Sequence, residues 1–173
     1  MATAQERETP VPMLTRPQQA RVWESLIAAE VRAKYFAELA HRYHVQQRAI
    51  NWLMLVFSSG ALISIIAKLK YDWVAPLLAL ITSGLSFYSL VTQNEKKATD
   101  AIDLHFRWAR LESEYESLWE NMYDLDAREQ LARLDEKEND LGRLSTGFPV
   151  NNKRLLKWQD HVEQRRAALV HAA

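Results

Sequence analysis

Two histidines, His41 and His44, come closest to a chemical site in this sequence: three residues apart, they fall on one face of a helix and could share a metal ion. A zinc site wants three or four protein ligands and the pair supplies two, so solvated or interfacial histidines are the better reading. The chain contains no cysteine, which excludes disulfides, thiol nucleophiles and thiolate metal sites. No glycine-rich phosphate loop and no nucleophile–base–acid arrangement is present. The expectation is therefore a protein that is not an enzyme and holds no metal or cofactor. Its 22 basic and 22 acidic side chains balance, so no net field points to nucleic acid or an acidic substrate.

Polar residues set within apolar sequence offer a different kind of site. Ala75, Ala79, Thr82, Ser86, Ser89 and Gln93 follow four- and three-residue steps, which place them on one helical face, opposite Leu77, Leu80, Ile81, Leu85 and Tyr88. In a membrane helix such a face can line a water-filled path, and the candidate pore-lining residues are Ala79, Thr82, Ser86, Ser89 and Gln93. It can equally let helices approach closely, the role expected of Gly60 and Ser64, a small pair four apart in the preceding apolar run. Asn51 is the most polar side chain in either run and needs a hydrogen-bond partner, most simply on a neighbouring helix. Neither run has an Asp, Glu, His, Lys or Arg, which argues against a proton- or solute-coupled transporter.

The runs that position these residues are "AINWLMLVFSSGALISIIA", Ala49 to Ala67, and "WVAPLLALITSGLSFYSLV", Trp73 to Val91, each 19 residues without a formal charge. A helix of that length spans roughly 28 Å, close to the thickness of a bilayer's hydrocarbon core. They read as transmembrane helices at 49–67 and 73–92, joined by an external turn at 68–72 too short for anything but an antiparallel hairpin. Basic residues flank the pair: Arg32, Lys34, Arg42 and Arg48 before it, Lys96, Lys97, Arg107 and Arg110 after it, against Lys68 and Lys70 in the turn. The positive-inside rule then puts both termini in the cytoplasm. Trp52, Tyr71 and Trp73 suit the headgroup level, Asp72 suits a helix N-cap and an acidic ring at the outer mouth, and Pro76 suits the first helical turn.

The remainder is very polar, as a mean hydropathy of -0.31 for the whole chain requires, and its 4 Gly and 5 Pro leave long helices as the default. Residues 1–16 read as a flexible lead-in without a signal-peptide core. Residues 17–48 read as an amphipathic cytoplasmic helix, with Val22, Leu26, Ala29, Ala33, Phe36, Ala40 and Tyr43 on its apolar stripe. After the second span, residues 93–146 read as a helical, coiled-coil region. Leu104, Trp108, Leu111, Tyr115, Leu118, Met122 and Leu125 form an alternating seam there, suited to an oligomer or to the chain's own N-terminal helix. Leu131, Leu134, Leu141 and Leu144 resume a stripe out of register, so a kink or new helix is expected at 124–129, capped by Asp126 with Glu129. Residues 147–173 read as a helical tail. Ser86 and Leu104 lie 18 residues apart, about five turns, so an unbroken helix points both in one direction and would align the hydroxyl face with the seam. The expected fold is an all-α membrane protein, and enclosing water would require a homo-oligomeric bundle of several copies.

In order and character, "YFAELAHRYHVQQRAINW", "FSSGALISII", "LLALITSGLSFYSL" and "EKKATDAIDLHFRWARLESEYESLW" resemble the SLATT domain, a two-transmembrane effector domain associated with nucleotide-sensing modules. The resemblance covers about Tyr35 to Met122. It implies a pore-forming effector of prokaryotic conflict and anti-phage defence, homo-oligomeric in the inner membrane, which permeabilises that membrane when activated. No fused sensor is visible, so the resemblance implies a separate sensor or signal-producing partner. A second resemblance, to calcium uniporter pores with their W-D-x-x-E-P entrance, stops at "DWVAP", where Ala75 replaces the glutamate before Pro76. The rival expectation is a non-conducting anchor whose cytoplasmic helices recruit a partner protein. On the pore reading, Ser86→Leu should abolish toxicity without changing expression or oligomer size.

Overall fold

The computed structural model describes residues 13–59 and 73–172, all in helices and short connections, with no strand among them. The helices are α1 (Arg16–Ser58), α2 (Val74–Thr92), α3 (Asn94–Glu120), α4 (Ala127–Ser145) and α5 (Asn152–Ala172). They divide into two compact units: the described parts of Met1–Tyr35 and Leu104–Ala173 form one, and those of Phe36–Asp103 the other. The end of the first apolar run, Gly60, Ser64, the 68–72 turn and Asp72 lie outside the described residues.

Local chemistry explains where the helices start and stop. Thr15 precedes α1, and both its backbone N–H and its hydroxyl donate to Gln18 Oε1 at 2.9 Å, the reciprocal half of a T-x-x-Q capping box. Pro17 falls in the first turn, no Gly or Pro follows it before Ser58, and α1 runs 43 residues. Pro76 falls in the first turn of α2, where its missing N–H is least costly. At the end of α3, Asn121 Nδ2 donates to the Ser117 carbonyl (2.9 Å) and competes for the end of the helical ladder. A turn follows, and α4 starts at Ala127. Asp126 is its N-cap residue but makes no capping bond, because its Oδ2 accepts from Gln130 Nε2 (2.7 Å) while Glu129 pairs with Arg133 (2.6 Å). The expected Asp126–Glu129 cap pair is thus replaced by two i,i+4 contacts. Asn151 caps α5, its Oδ1 accepting from the Arg154 N–H at 3.3 Å.

The described part of the first unit is a packed bundle. Val22, Leu26, Ala29 and Ala33 of α1, Leu104, Trp108, Leu111, Tyr115 and Leu118 of α3, and Ala127, Leu131, Leu134 and Leu141 of α4 are buried. Polar links between helices fix the register: Trp108 Nε1 donates to Ser145 Oγ (3.2 Å), Tyr115 Oη to Glu138 (3.1 Å), and Arg32 pairs with Glu138 (3.1 Å) and lies over the Trp108 ring at 4.5 Å. His105 Nδ1 carries a proton and donates to the Ala33 carbonyl (2.9 Å), since a carbonyl only accepts. Arg21 reaches Asp135 at 3.0 Å.

In this bundle the α3 stripe packs within the chain, the second of the two partners left open for it. Leu104, Trp108, Leu111, Tyr115 and Leu118 are consumed within the chain's own core, and α3 has ended before Met122 and Leu125. Met122 is half-buried and Leu125 is 87% exposed. The three- and four-residue spacing records an apolar stripe, and the chain covers five of its seven positions itself.

Candidate functional site

In the other unit, the last part of α1 and α2 carry the apolar runs. Within Pro76–Glu120 lies the one stretch among the described residues that is long and apolar enough to cross a membrane by length and composition, and none of it is buried. Its apolar part is α2, where Leu80 and Leu90 are 71% and 74% exposed and Leu77, Phe87 and Val91 are exposed as well. On α1, Trp52, Leu53, Leu55 and Val56 are also uncovered.

The hydroxyl face has a defined place. Thr82 Oγ1 donates to the Leu78 carbonyl (2.8 Å) and Ser86 Oγ to the Thr82 carbonyl (2.9 Å), so each is satisfied on its own helix. Ser86 Oγ also meets Met54 Sδ at 3.7 Å, and Ser89 Oγ accepts from Gln47 Nε2 at 3.1 Å. Thr82, Ser86 and Ser89 are half-buried; Ala79 and Gln93 are exposed, and the side chain of Ala75 lies outside the described residues. Ser86 and Ser89 therefore serve the contact between α2 and α1 of one chain. Exposed polar or small residues of α2 lie elsewhere, at Ala79, Ser83 and Gly84.

Asn51 finds its partner on its own helix: Gln47 Nε2 donates to Asn51 Oδ1 (3.0 Å) and to Ser89 Oγ, so Gln47 makes the cross-helix link expected of Asn51. Gln47 carried a visible signal, a second amide one turn before Asn51.

Gln93 corrects the unbroken helix. It adopts φ 47° and ψ 38°, the left-handed region, and ends α2 with its N–H on the Ser89 carbonyl at 3.3 Å. The five-turn phase count from Ser86 to Leu104 does not carry across such a break. Next to it, Asn94 is buried, and its Nδ2 has no hydrogen-bond partner among the described residues.

His41 and His44 are exposed on α1, and no three His, Asp or Glu side chains among the described residues group as a metal site. The densest charge cluster lies in the bundle. Glu30 of α1, 1% exposed, binds Arg165 and Arg166 of α5, with Arg166 Nε donating to its Oε2 at 2.8 Å. Arg166 also reaches Glu112 (3.5 Å) and Glu116 (3.7 Å) of α3. Burial, then the neighbouring Glu30 charge, pushes the Glu112 carboxyl above its ordinary range, while Arg166 and Lys34 pull the other way. Burial and the charge of Glu138 likewise raise the Tyr115 hydroxyl. Sequence reasoning passed over this cluster. Its signal was a glutamate continuing the four-residue steps of Val22 and Leu26.

Comparison of the chain with models of known protein families, with curated proteins and with solved structures finds no match.

Proposed function

We propose that this protein is a two-span inner-membrane effector with both termini in the cytoplasm. It acts in a prokaryotic defence system by permeabilising the membrane as a homo-oligomer when a separate partner or signal activates it. The observation that carries the membrane assignment is the uncovered surface of α2: a soluble core helix of this composition would be buried, and here none of the apolar window is. Basic residues on both flanks support the orientation, and the SLATT-like order of features supports the effector role.

Because the α3 seam is used inside the chain, contacts between copies fall to the hairpins. The exposed small residues Ala79, Ser83 and Gly84 would let neighbouring helices approach. A second reading, a non-conducting anchor that presents the helical bundle to a partner, draws on the packing of Ser86 and Ser89 against α1.

Dye-reported membrane potential in bacteria inducing the protein, alone and with its gene neighbours, separates the two. Depolarisation lost in Ser86→Leu assigns the hydroxyl face to the conduction path. Depolarisation kept in Ser86→Leu but lost in Ser83→Leu moves the path to the exposed side of α2. Stable polarisation throughout, with the chain resisting alkaline extraction from membranes, establishes the anchor.

A further inference from the structure

The break between α2 and α3 creates a helix N-terminus where a continuous helix would have none. In an unbroken helix every N–H at this level is spent on the carbonyl one turn earlier. The left-handed Gln93 (φ 47°) instead makes α3 start afresh at Asn94, and the Lys97 N–H opens its ladder by donating to the Gln93 carbonyl at 3.0 Å. The N–H groups of Asn94, Glu95 and Lys96 precede that ladder, and with the positive end of the helix dipole they suit an anion.

A second, independent observation points to a ligand at this end. Asn94 is 4% exposed, and its Nδ2 has no acceptor among the described residues. On a helix the Cα–Cβ bond tilts toward the N-terminus, so the amide of this first residue leans past the start of α3 into the same space. A buried donor without an acceptor is costly, and native proteins nearly always supply one from protein, water or a bound group. Charge agrees with an anionic ligand. Lys96 and Lys97 in the first turn of α3 are exposed, as is Arg48, the last charged residue before the first apolar run. The bond from Gln47 to Ser89 sets Arg48 near a point five residues before Asn94, roughly 8 Å along the helix axis. Glu95 is the one acid in that first turn, so the three basic side chains outnumber it.

These donors lie within about a turn and a half of Thr92, where the apolar span ends and the phosphates of a bilayer begin. We infer that the N-terminus of α3, with Asn94, Lys96, Lys97 and Arg48, binds the phosphate of an anionic phospholipid headgroup. The inference rests on the two-span reading above, which puts both of these span ends at the cytoplasmic leaflet. Phosphate matches the free N–H groups, and a net negative headgroup matches the three cations; a choline headgroup would set its own cation against them. The strain at Gln93 then has a use, because it is what exposes a helix N-terminus at the membrane surface.

The test uses the full chain in nonionic detergent micelles, titrated with phosphatidylglycerol, phosphatidylcholine or inorganic phosphate, with bound ligand read by native mass spectrometry. Phosphatidylglycerol should bind about tenfold or more tightly than either of the others. Lys96→Gln combined with Lys97→Gln should weaken it about tenfold or more, and Asn94→Leu, which leaves the charge untouched, about threefold or more. Equal affinity for phosphatidylcholine makes this a general membrane surface, equal affinity for inorganic phosphate makes the ligand a free anion, and full affinity in Asn94→Leu leaves only a diffuse basic patch; each overturns the proposal. Both variants should fold, since the lysines are exposed and leucine at 94 removes an unsatisfied buried amide. Alkaline extraction of membranes tests the span reading separately. A chain released by alkali refutes that reading and this inference with it, whereas an embedded chain indifferent to phosphatidylglycerol overturns this inference alone.

Discussion

Trp108 concentrates much of what holds the bundle together. Its ring is buried, its N–H is satisfied by Ser145, and the Arg32 guanidinium covers one face. Trp108→Ala removes a large apolar body and takes from Ser145 Oγ the N–H it accepts and from Arg32 the ring it covers, while Ser145 keeps its bond to the Leu141 carbonyl and Arg32 its pair with Glu138, so the lost burial should cost about 3–5 kcal/mol. Leu125→Ala should change stability by about 0.5 kcal/mol or less, because the side chain is 87% exposed and lies past the end of α3. Denaturant unfolding in micelles checks both, and a large effect at Leu125 would reinstate the oligomer seam. Trp108 was recognisable in the sequence as a stripe residue. Its cover was not, because Ser145 and Arg32 lie far away along the chain.

Among the elements, the junction of α2 and α3 is the point of strain. A residue with a Cβ in the left-handed region crowds the following carbonyl, a cost of roughly 1–2 kcal/mol that glycine avoids. Gln93→Gly should therefore stabilise the protein by about 1 kcal/mol, less than the full strain because glycine loses more freedom on folding. Thermal unfolding of the detergent-solubilised protein reads the gain; a loss would show that the left-handed turn is not the preferred state of this junction. The sequence "VTQNEKK" contains neither Gly nor Pro and reads as continuous helix. Local propensity is a weak prior, and the left-handed turn at Gln93 departs from it. By contrast, the turn after α3 was legible from the change of register between the Leu104 and Leu131 stripes.

For the whole molecule, charge burial sets a pH response. The Glu112 and Asp135 carboxyls both lie above the ordinary carboxylate range, each chiefly through burial, with Arg21 opposing and Glu138 adding to the rise at Asp135. A carboxyl with a raised folded-state pKa binds its proton more tightly in the native state, so stability increases as pH falls through that pKa. The increase ends near the unfolded value of about 4. Melting temperature should accordingly rise as pH is lowered from 7 toward about 5, and the Glu112→Gln, Asp135→Asn double variant should show a flatter profile with higher stability at pH 7. An unchanged slope in the double variant would place the pH response on other groups.

The sequence by itself determined that the chain is helical, which stretches are apolar enough to leave water, and which faces of its helices are apolar or hydroxyl-bearing. These follow from composition and from periodicity of about 3.6 residues, both local properties. Tertiary structure alone decided what covers each face. It turned the seam of α3 inward onto α1 and α4, set Ser86 and Ser89 against α1, broke the helix at Gln93, and drew Arg166 across more than a hundred residues to Glu30. Periodicity states that a face needs a partner. Which surface supplies it depends on contacts between residues distant in the chain, and spacing along one helix carries no record of those.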